Sequence, residues 1–120
     1  MKTILVVDDF QTTRKVIINS LSKFGFKTIE AGDGTEALAL LDGRAIDLLI
    51  TDYNMPQMDG AELILNMRKN EQYAFIPALV LSTEIKEEKR VKAENAKITA
   101  WIKKPFDLEK FIKVVQKAIQ

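Results

Sequence analysis

Apolar positions along this chain follow two alternating rhythms, short unbroken runs and longer stretches that recur every three to four residues. Thr3 to Val7 is a β-branched run that stops abruptly at Asp8-Asp9, which predicts a first strand delivering two acids to its carboxyl end. Between Gln11 and Phe24, Ile17, Leu21 and Phe24 share one helical face, and Gly25 stops the helix. Phe26 to Ala31 predicts a second strand. Asp33 then caps a helix with Glu36 at the capping-box position, an inner face of Ala37, Leu38 and Leu41, and an end at Gly43.

The third strand is the apolar run Leu48 to Ile50, too short for a helix and without a polar face, as in a parallel strand covered on both sides. Asp52 lies just past it. Pro56 keeps its predecessor out of the helical region, and Asp59-Gly60 with Glu62 offers a capping box for a helix through Leu63, Ile64 and Met67 to about Asn70. Met55, Met58 and Met67 read as loop and core filler. Pro77 opens a fourth strand, Ala78 to Leu81, that ends in Ser82-Thr83. Glu84 to Asn95 has helical composition and an i, i+4 pair in Glu88 and Lys92, but only Ile85, Val91, Ala93 and Ala96 to bury. Ile98 to Lys103 predicts a fifth strand, followed by Lys104-Pro105, where a cis bond is possible. Asp107 caps a last helix whose Leu108, Phe111, Ile112, Val115 and Ile119 form the strongest apolar stripe in the chain.

Five strands alternating with five helices predict an α/β, doubly wound parallel sheet in a single domain spanning residues 1–120. In such sheets ligands bind outside the carboxyl ends of the strands. Asp8, Asp9, Asp52, Ser82 and Lys104 all sit at such ends, and a core needs none of them. By itself Asp52 has a bland alternative, an acid that starts a turn.

Composition narrows the chemistry. Lys and Arg total 18 against 17 for Asp and Glu, so no net field draws nucleic acid or an anionic membrane. With no cysteine and no histidine, disulfides, thiolate chemistry, zinc sites and histidine acid-base catalysis are excluded. Carboxylates, hydroxyls and lysines remain. The longest apolar run, Ile76 to Leu81, has six residues, and there is no signal-like segment, so a cytoplasmic location is expected.

The motifs Val6-Val7-Asp8-Asp9, Asp52-Tyr53-Asn54-Met55-Pro56-Gln57-Met58-Asp59-Gly60, Leu81-Ser82 and Lys103-Lys104-Pro105-Phe106 occur in register from Ile4 to the last helix. In this combination the chain resembles the receiver domain of bacterial two-component response regulators, most closely the stand-alone, chemotaxis-type (CheY-like) members. The resemblance implies the flavodoxin-like strand order 2-1-3-4-5. It implies that Asp52 accepts a phosphoryl group from a phosphohistidine on a sensor histidine kinase or phosphotransfer protein. Asp8, Asp9 and Asp52 would hold Mg²⁺, or Mn²⁺, with the backbone carbonyl of Asn54. An all-oxygen donor set suits those ions.

By the same resemblance Lys104 pairs with the phosphoryl group, Ser82 hydrogen-bonds it, and Trp101 is the aromatic switch, against the plainer alternative of a packed residue at the sheet edge. Asn54, Thr83 and Glu84 occupy positions that tune dephosphorylation, with Thr83 replacing a smaller alanine. Pro56, Gly60 and Pro105 are structural. The output face is the fourth helix, fifth strand and fifth helix, and the downstream target is a protein such as a flagellar motor switch component. A monomer without nucleic-acid or membrane partners is expected, and since no DNA-binding or enzymatic domain follows Gln120, output by contact with another protein is expected too.

Before the fifth strand Lys97-Ile98 replace the family's usual Gly-Ala, so either a non-glycine residue adopts a positive φ or the fourth helix ends differently. Phe10 and Arg14 border the site and help choose the kinase, with a plain surface role as the alternative for Arg14. Lys103 reads as a solvated charge and Phe106 as packing for the last helix. A phosphatase or phosphotransferase of the haloacid dehalogenase type also phosphorylates a strand-end Asp, but needs an Asp where this chain has Asn54. A receiver that binds without phosphorylation is the third reading, and retention of all five strand-end groups argues against it.

Overall fold

The computed structural model describes residues 1–83 and 86–120. Five parallel strands, β1 (Thr3–Val7), β2 (Lys27–Ala31), β3 (Leu48–Asp52), β4 (Ala78–Ser82) and β5 (Ala100–Lys103), form one sheet in the order β2-β1-β3-β4-β5. The helices are α1 (Gln11–Lys23), α2 (Gly34–Leu40), α3 (Gly60–Arg68), α4 (Glu87–Asn95) and α5 (Leu108–Ala118). The three inner strands are buried along their whole length, which is why they read as apolar runs and not as alternation.

Alternate strand residues feed two cores. Ile4, Val6, Leu48, Ile50, Leu79 and Leu81 pack with Ile17 and Leu21 of α1 and Phe111, Ile112 and Val115 of α5. Leu5, Val7, Leu49, Ala78 and Val80 pack on the other side with Ala37 of α2, Leu63, Ile64 and Met67 of α3, and Ala93 of α4. The asymmetry between helices follows their sequences. The stripe on α5 buries three residues, whereas α4 buries only Ala93.

Register places the chemistry. Val7 lies opposite Thr51, Asp52 opposite Leu81, and Ser82 opposite Lys103, so Asp8, Asp52, Ser82 and Lys104 emerge at neighbouring heights on one end of the sheet. Asp52 is thus the last residue of β3 itself.

Several element ends differ from the sequence reading. The second helix stops at Leu40, because the Leu41 backbone leaves the helical region at ψ 61 and its side chain turns into the core. Gly43, with φ 108, instead shapes the turn beyond, where its N–H donates to the Tyr73 hydroxyl at 2.9 Å. The third helix ends at Arg68, since Asn70 caps a 3₁₀ turn at Glu71–Tyr73. The fourth begins at Glu87; its expected start at Glu84, and Ile85, lie outside the described residues. Val91 is 44% exposed and Leu108 43%, so neither adds to the core. Lys92 reaches across to Asp59 at 2.7 Å and not along its helix to Glu88, while Arg90 and Glu94 make an i, i+4 pair.

The second strand begins at Lys27, with Phe26 half-buried ahead of it. The fifth strand begins at Ala100, because Thr99 closes the ladder before it: its N–H donates to the Ala78 carbonyl and its hydroxyl accepts from the Ala78 N–H. Lys97 adopts φ 61, the positive-φ outcome, and its carbonyl accepts from the Arg68 guanidinium at 3.0 Å. The Lys104-Pro105 peptide is cis.

Gly60 begins α3 in direct contact with the end of β3. A Cβ there would stand 2.6 Å from the Asp52 carbonyl oxygen and 3.1 Å from the Tyr53 Cα. Gly60→Ala is therefore expected to destabilise the fold by ~1–3 kcal/mol, the usual cost of overpacking, despite the gain in helix propensity of about 1 kcal/mol. Urea unfolding checks this: the midpoint falls with an unchanged slope.

Candidate functional site

Three carboxylates and one ammonium meet at the carboxyl end of the sheet. Asp8 follows β1 directly and is 1% exposed, Asp52 ends β3 at 7%, and Asp9 faces solvent. Each offers an oxygen within 4.8 Å of the others. The Lys104 ammonium lies between the two buried acids, 3.2 Å from Asp8 Oδ2 and 3.3 Å from Asp52 Oδ1. Backbone donors complete the buried pair: the Phe10 N–H donates to Asp8 Oδ1 at 2.9 Å, and the Tyr53 N–H to Asp52 Oδ1 at 3.1 Å.

The electrostatics follow from that geometry. Two unit charges about 4 Å apart interact by ~4 kcal/mol at an effective dielectric of about 20. One ammonium cannot neutralise three such acids. Burial pushes the Asp52 carboxyl above the usual carboxylate range; Lys104 pulls it down, and Asp8 and Asp9 push it up further. Oxygen-only donors that converge this closely with excess negative charge fit a hard divalent cation.

Other expected residues sit around this cluster. Ser82 is fully buried at the end of β4, and its carbonyl accepts from the Lys104 N–H at 2.7 Å, which ties the hydroxyl-bearing strand end to the lysine. Thr83, next along, is exposed, and Glu84 lies outside the described residues. Pro56 is exposed on the loop after β3, and Pro105 follows Lys104 in cis. Trp101 is half-buried on β5. Its ring packs on Tyr53 with centroids 5.4 Å apart, and its Nε1 is buried without a hydrogen-bond partner among the described residues. Phe106 packs on Phe111 at 4.9 Å, and Lys103 is exposed, both as expected. Phe10 is 67% exposed beside the acids.

Two groups gain roles that the sequence did not specify. Arg14 donates to the Asp8 carbonyl at 2.6 Å and to Glu30 of β2 at 2.8 Å, so it anchors the loop carrying Asp8 and Asp9. Lys89 of α4 donates to Asn54 Oδ1 at 3.0 Å and lies 5.6 Å from the centre of the Tyr53 ring. Only long-range placement brings these residues to their partners; in the sequence Arg14 reads as a residue bordering the site or a plain surface charge, and Lys89 as one cation among several on a mostly polar helix.

A doubly wound sheet with three acids and a lysine at its strand ends agrees with the family that the whole sequence identifies. Residues 4–116 match the profile of the response regulator receiver domain, and the chain belongs to that family. It is 37% identical over 118 residues to the chemotaxis protein CheY of Pseudomonas aeruginosa, covering 98% of this chain and 95% of that one. It is 41% identical over 104 residues to CheY-3 of Vibrio cholerae, covering 86% and 80%. Among solved structures, Vibrio cholerae CheY4 superposes with a TM-score of 0.93 at 36% identity, covering 98% of both chains. Receiver domains of this type are signalling proteins and not classical enzymes.

Because the folded-state pKa of Asp52 is raised, its ionisation opposes folding, and its contribution to stability falls as pH rises from the ordinary carboxylate value through the raised one. Asp52→Asn is accordingly expected to raise the urea midpoint at neutral pH in the absence of divalent cations, with the gain shrinking in acid. A loss at neutral pH would mean that the bond to Lys104 outweighs burial and repulsion.

Proposed function

We propose that this chain is a phosphorylation-switched signalling module of a chemotaxis-type two-component system, with Asp52 as phosphoacceptor. The observation that carries this reading is the placement of the Lys104 ammonium 3.2 Å and 3.3 Å from Asp8 and Asp52, with Asp9 completing the triad. In the transfer, an Asp52 oxygen bonds to phosphorus while the phosphorus–nitrogen bond of a kinase or phosphotransfer-protein phosphohistidine breaks, and the imidazole keeps the electron pair. The protein contributes positioning and charge stabilisation, so the absence of histidine from this chain is no handicap.

Asp8, Asp9 and Asp52, with the backbone carbonyl of Asn54, are the residues that would hold Mg²⁺. When bound, that ion neutralises oxyanion charge at the transferred group. Lys104 pairs with a phosphoryl oxygen once Asp52 is modified, and Ser82, one strand over, donates its hydroxyl to another. Movement of the Ser82 loop is read out by Trp101 through its packing on Tyr53. Asn54, Thr83 and Glu84 tune the loss of the group.

The output face is α4, β5 and α5. Its helix α4 is weakly anchored, and a groove of about 380 Å³ beside β5 and α5 is lined by Ile102, Phe106 and Val114, with Lys103, Lys110 and the α5 cap Asp107 also lining it. Apolar walls with two lysines against one carboxylate suit an apolar-anchored segment of a target such as a flagellar motor switch component. No helix among the described residues is long and apolar enough to cross a membrane. A cytoplasmic monomer completes the proposal.

Incubation with acetyl phosphate and Mg²⁺ is expected to add one phosphoryl group by mass and to change Trp101 fluorescence, and beryllofluoride should produce the same optical change. Asp52→Asn abolishes both. A wild-type chain that stays unmodified, or a response that survives Asp52→Asn, overturns the reading.

A further inference from the structure

Asn54 is the first exposed residue after Asp52, beyond the buried Tyr53, and so is the first side chain that solvent meets on the loop leaving β3. Its amide is fixed by α4. The Lys89 ammonium lies 3.0 Å from Oδ1 and also rests near the face of Tyr53, 5.6 Å from the ring centre. An ammonium only donates, so the atom facing Lys89 must be the amide oxygen, and the Asn54 NH₂ is left to face elsewhere. One turn further along α4, Lys92 bonds Asp59 at 2.7 Å and approaches Glu62 at 3.8 Å. A lone surface ion pair counts for little. Here two lysines three residues apart on one helix, together with an aromatic ring, hold the same loop from the same side, so the register of α4 sets the position of Lys89.

We propose that Lys89 is a positioning residue that prolongs the life of the phosphoryl group on Asp52 by occupying the Asn54 side-chain oxygen. This rests on the reading of Asp52 as phosphoacceptor. Hydrolysis of an aspartyl phosphate forms a bond from water oxygen to phosphorus and breaks the bond from phosphorus to the Asp52 oxygen, whose electron pair stays on the carboxylate. Both water protons end on the departing phosphate, which releases one to solvent. The attacking water is oriented by acceptors for its O–H bonds. Asn54 Oδ1 is the nearest such acceptor in sequence, and a charge-assisted bond from Lys89 takes one lone pair and leaves the other facing a positive charge. With Lys89 in place the Asn54 oxygen is a poorer acceptor for the water than its amide N–H groups are donors. Without it, the amide oxygen is free to orient the attack.

The test loads wild type, Lys89→Met, Lys89→Arg, Asn54→Ala and the double variant Lys89→Met/Asn54→Ala with acetyl phosphate and Mg²⁺. Excess reagent is then removed, and the loss of the acid-labile phosphoryl group is timed. Lys89→Met is expected to lose it roughly 3- to 10-fold faster than wild type, the size of one altered hydrogen bond in the transition state. Lys89→Arg, which keeps a cationic donor, decays like wild type, and in the Asn54→Ala background Lys89→Met has no further effect. Decay of Lys89→Met that is unchanged or slower, equal acceleration without Asn54, or Lys89→Arg decaying as fast as Lys89→Met would each overturn the inference. Failure of wild type to load at all is seen before any decay is timed; it overturns the phosphoacceptor reading, and this inference with it.

Discussion

The site depends on a charge imbalance that the fold holds in place. Asp8 and Asp52 are almost wholly buried, Asp9 stands beside them, and among the described residues the Lys104 ammonium is the one opposite charge within salt-bridge distance of the buried pair. Carboxylates forced this close either take up protons or attract cations, and at Asp52 burial first, with repulsion from Asp8 and Asp9 added to it, raises the pKa against the pull of Lys104. A structure built only for stability would avoid such a cluster. Its place at the carboxyl end of an otherwise apolar sheet marks it for a chemical role.

The sheet makes the imbalance possible. Parallel register brings the ends of β1, β3, β4 and β5 to nearly the same height, and burial along the whole of β1, β3 and β4 holds three of those ends between the two cores. The loops are pinned by single contacts: Arg14 ties the Asp8 carbonyl to Glu30, the Lys104 N–H bonds the Ser82 carbonyl, and Gly60 lets α3 begin against the Asp52 backbone. Around this rigid centre α4 is held chiefly by polar reach, since Ala93 is its single buried residue. Stiff strands and a loosely seated helix are a suitable division for a protein whose state is read at its surface.

Most of this was legible in the sequence because the decisive signals are local. Apolar runs that stop at Asp8, Asp52 and Ser82 mark buried strands with polar ends, and Asp33, Asp59 and Asp107 cap helices as their spacing suggests. Misreadings came where tertiary contacts override local pattern. Leu41 leaves α2 because the core takes its side chain, Thr99 replaces a strand residue by bonding through its hydroxyl, and Lys92 prefers Asp59 on another element to Glu88 on its own helix. The positive φ at Lys97 was one of two outcomes that replacement of a glycine left open, and the Arg68 guanidinium bonded to the Lys97 carbonyl accompanies it. The acids and Lys104 were readable as separate strand ends, but their sharing of one ammonium depends on register that no single segment encodes.

Asp59 carries a consequence of its own. One of its oxygens accepts from the Glu62 N–H to cap α3, while the other accepts from Lys92 of α4. The first turn of one helix and the seat of another therefore draw on a single carboxylate. Displacing α4 removes the cation that steadies the cap, and fraying of the cap loosens the anchor of α4. The two helices form a thermodynamic couple in which neither end can relax at constant free energy of the other, and the loop that begins at the proposed phosphoacceptor lies between them.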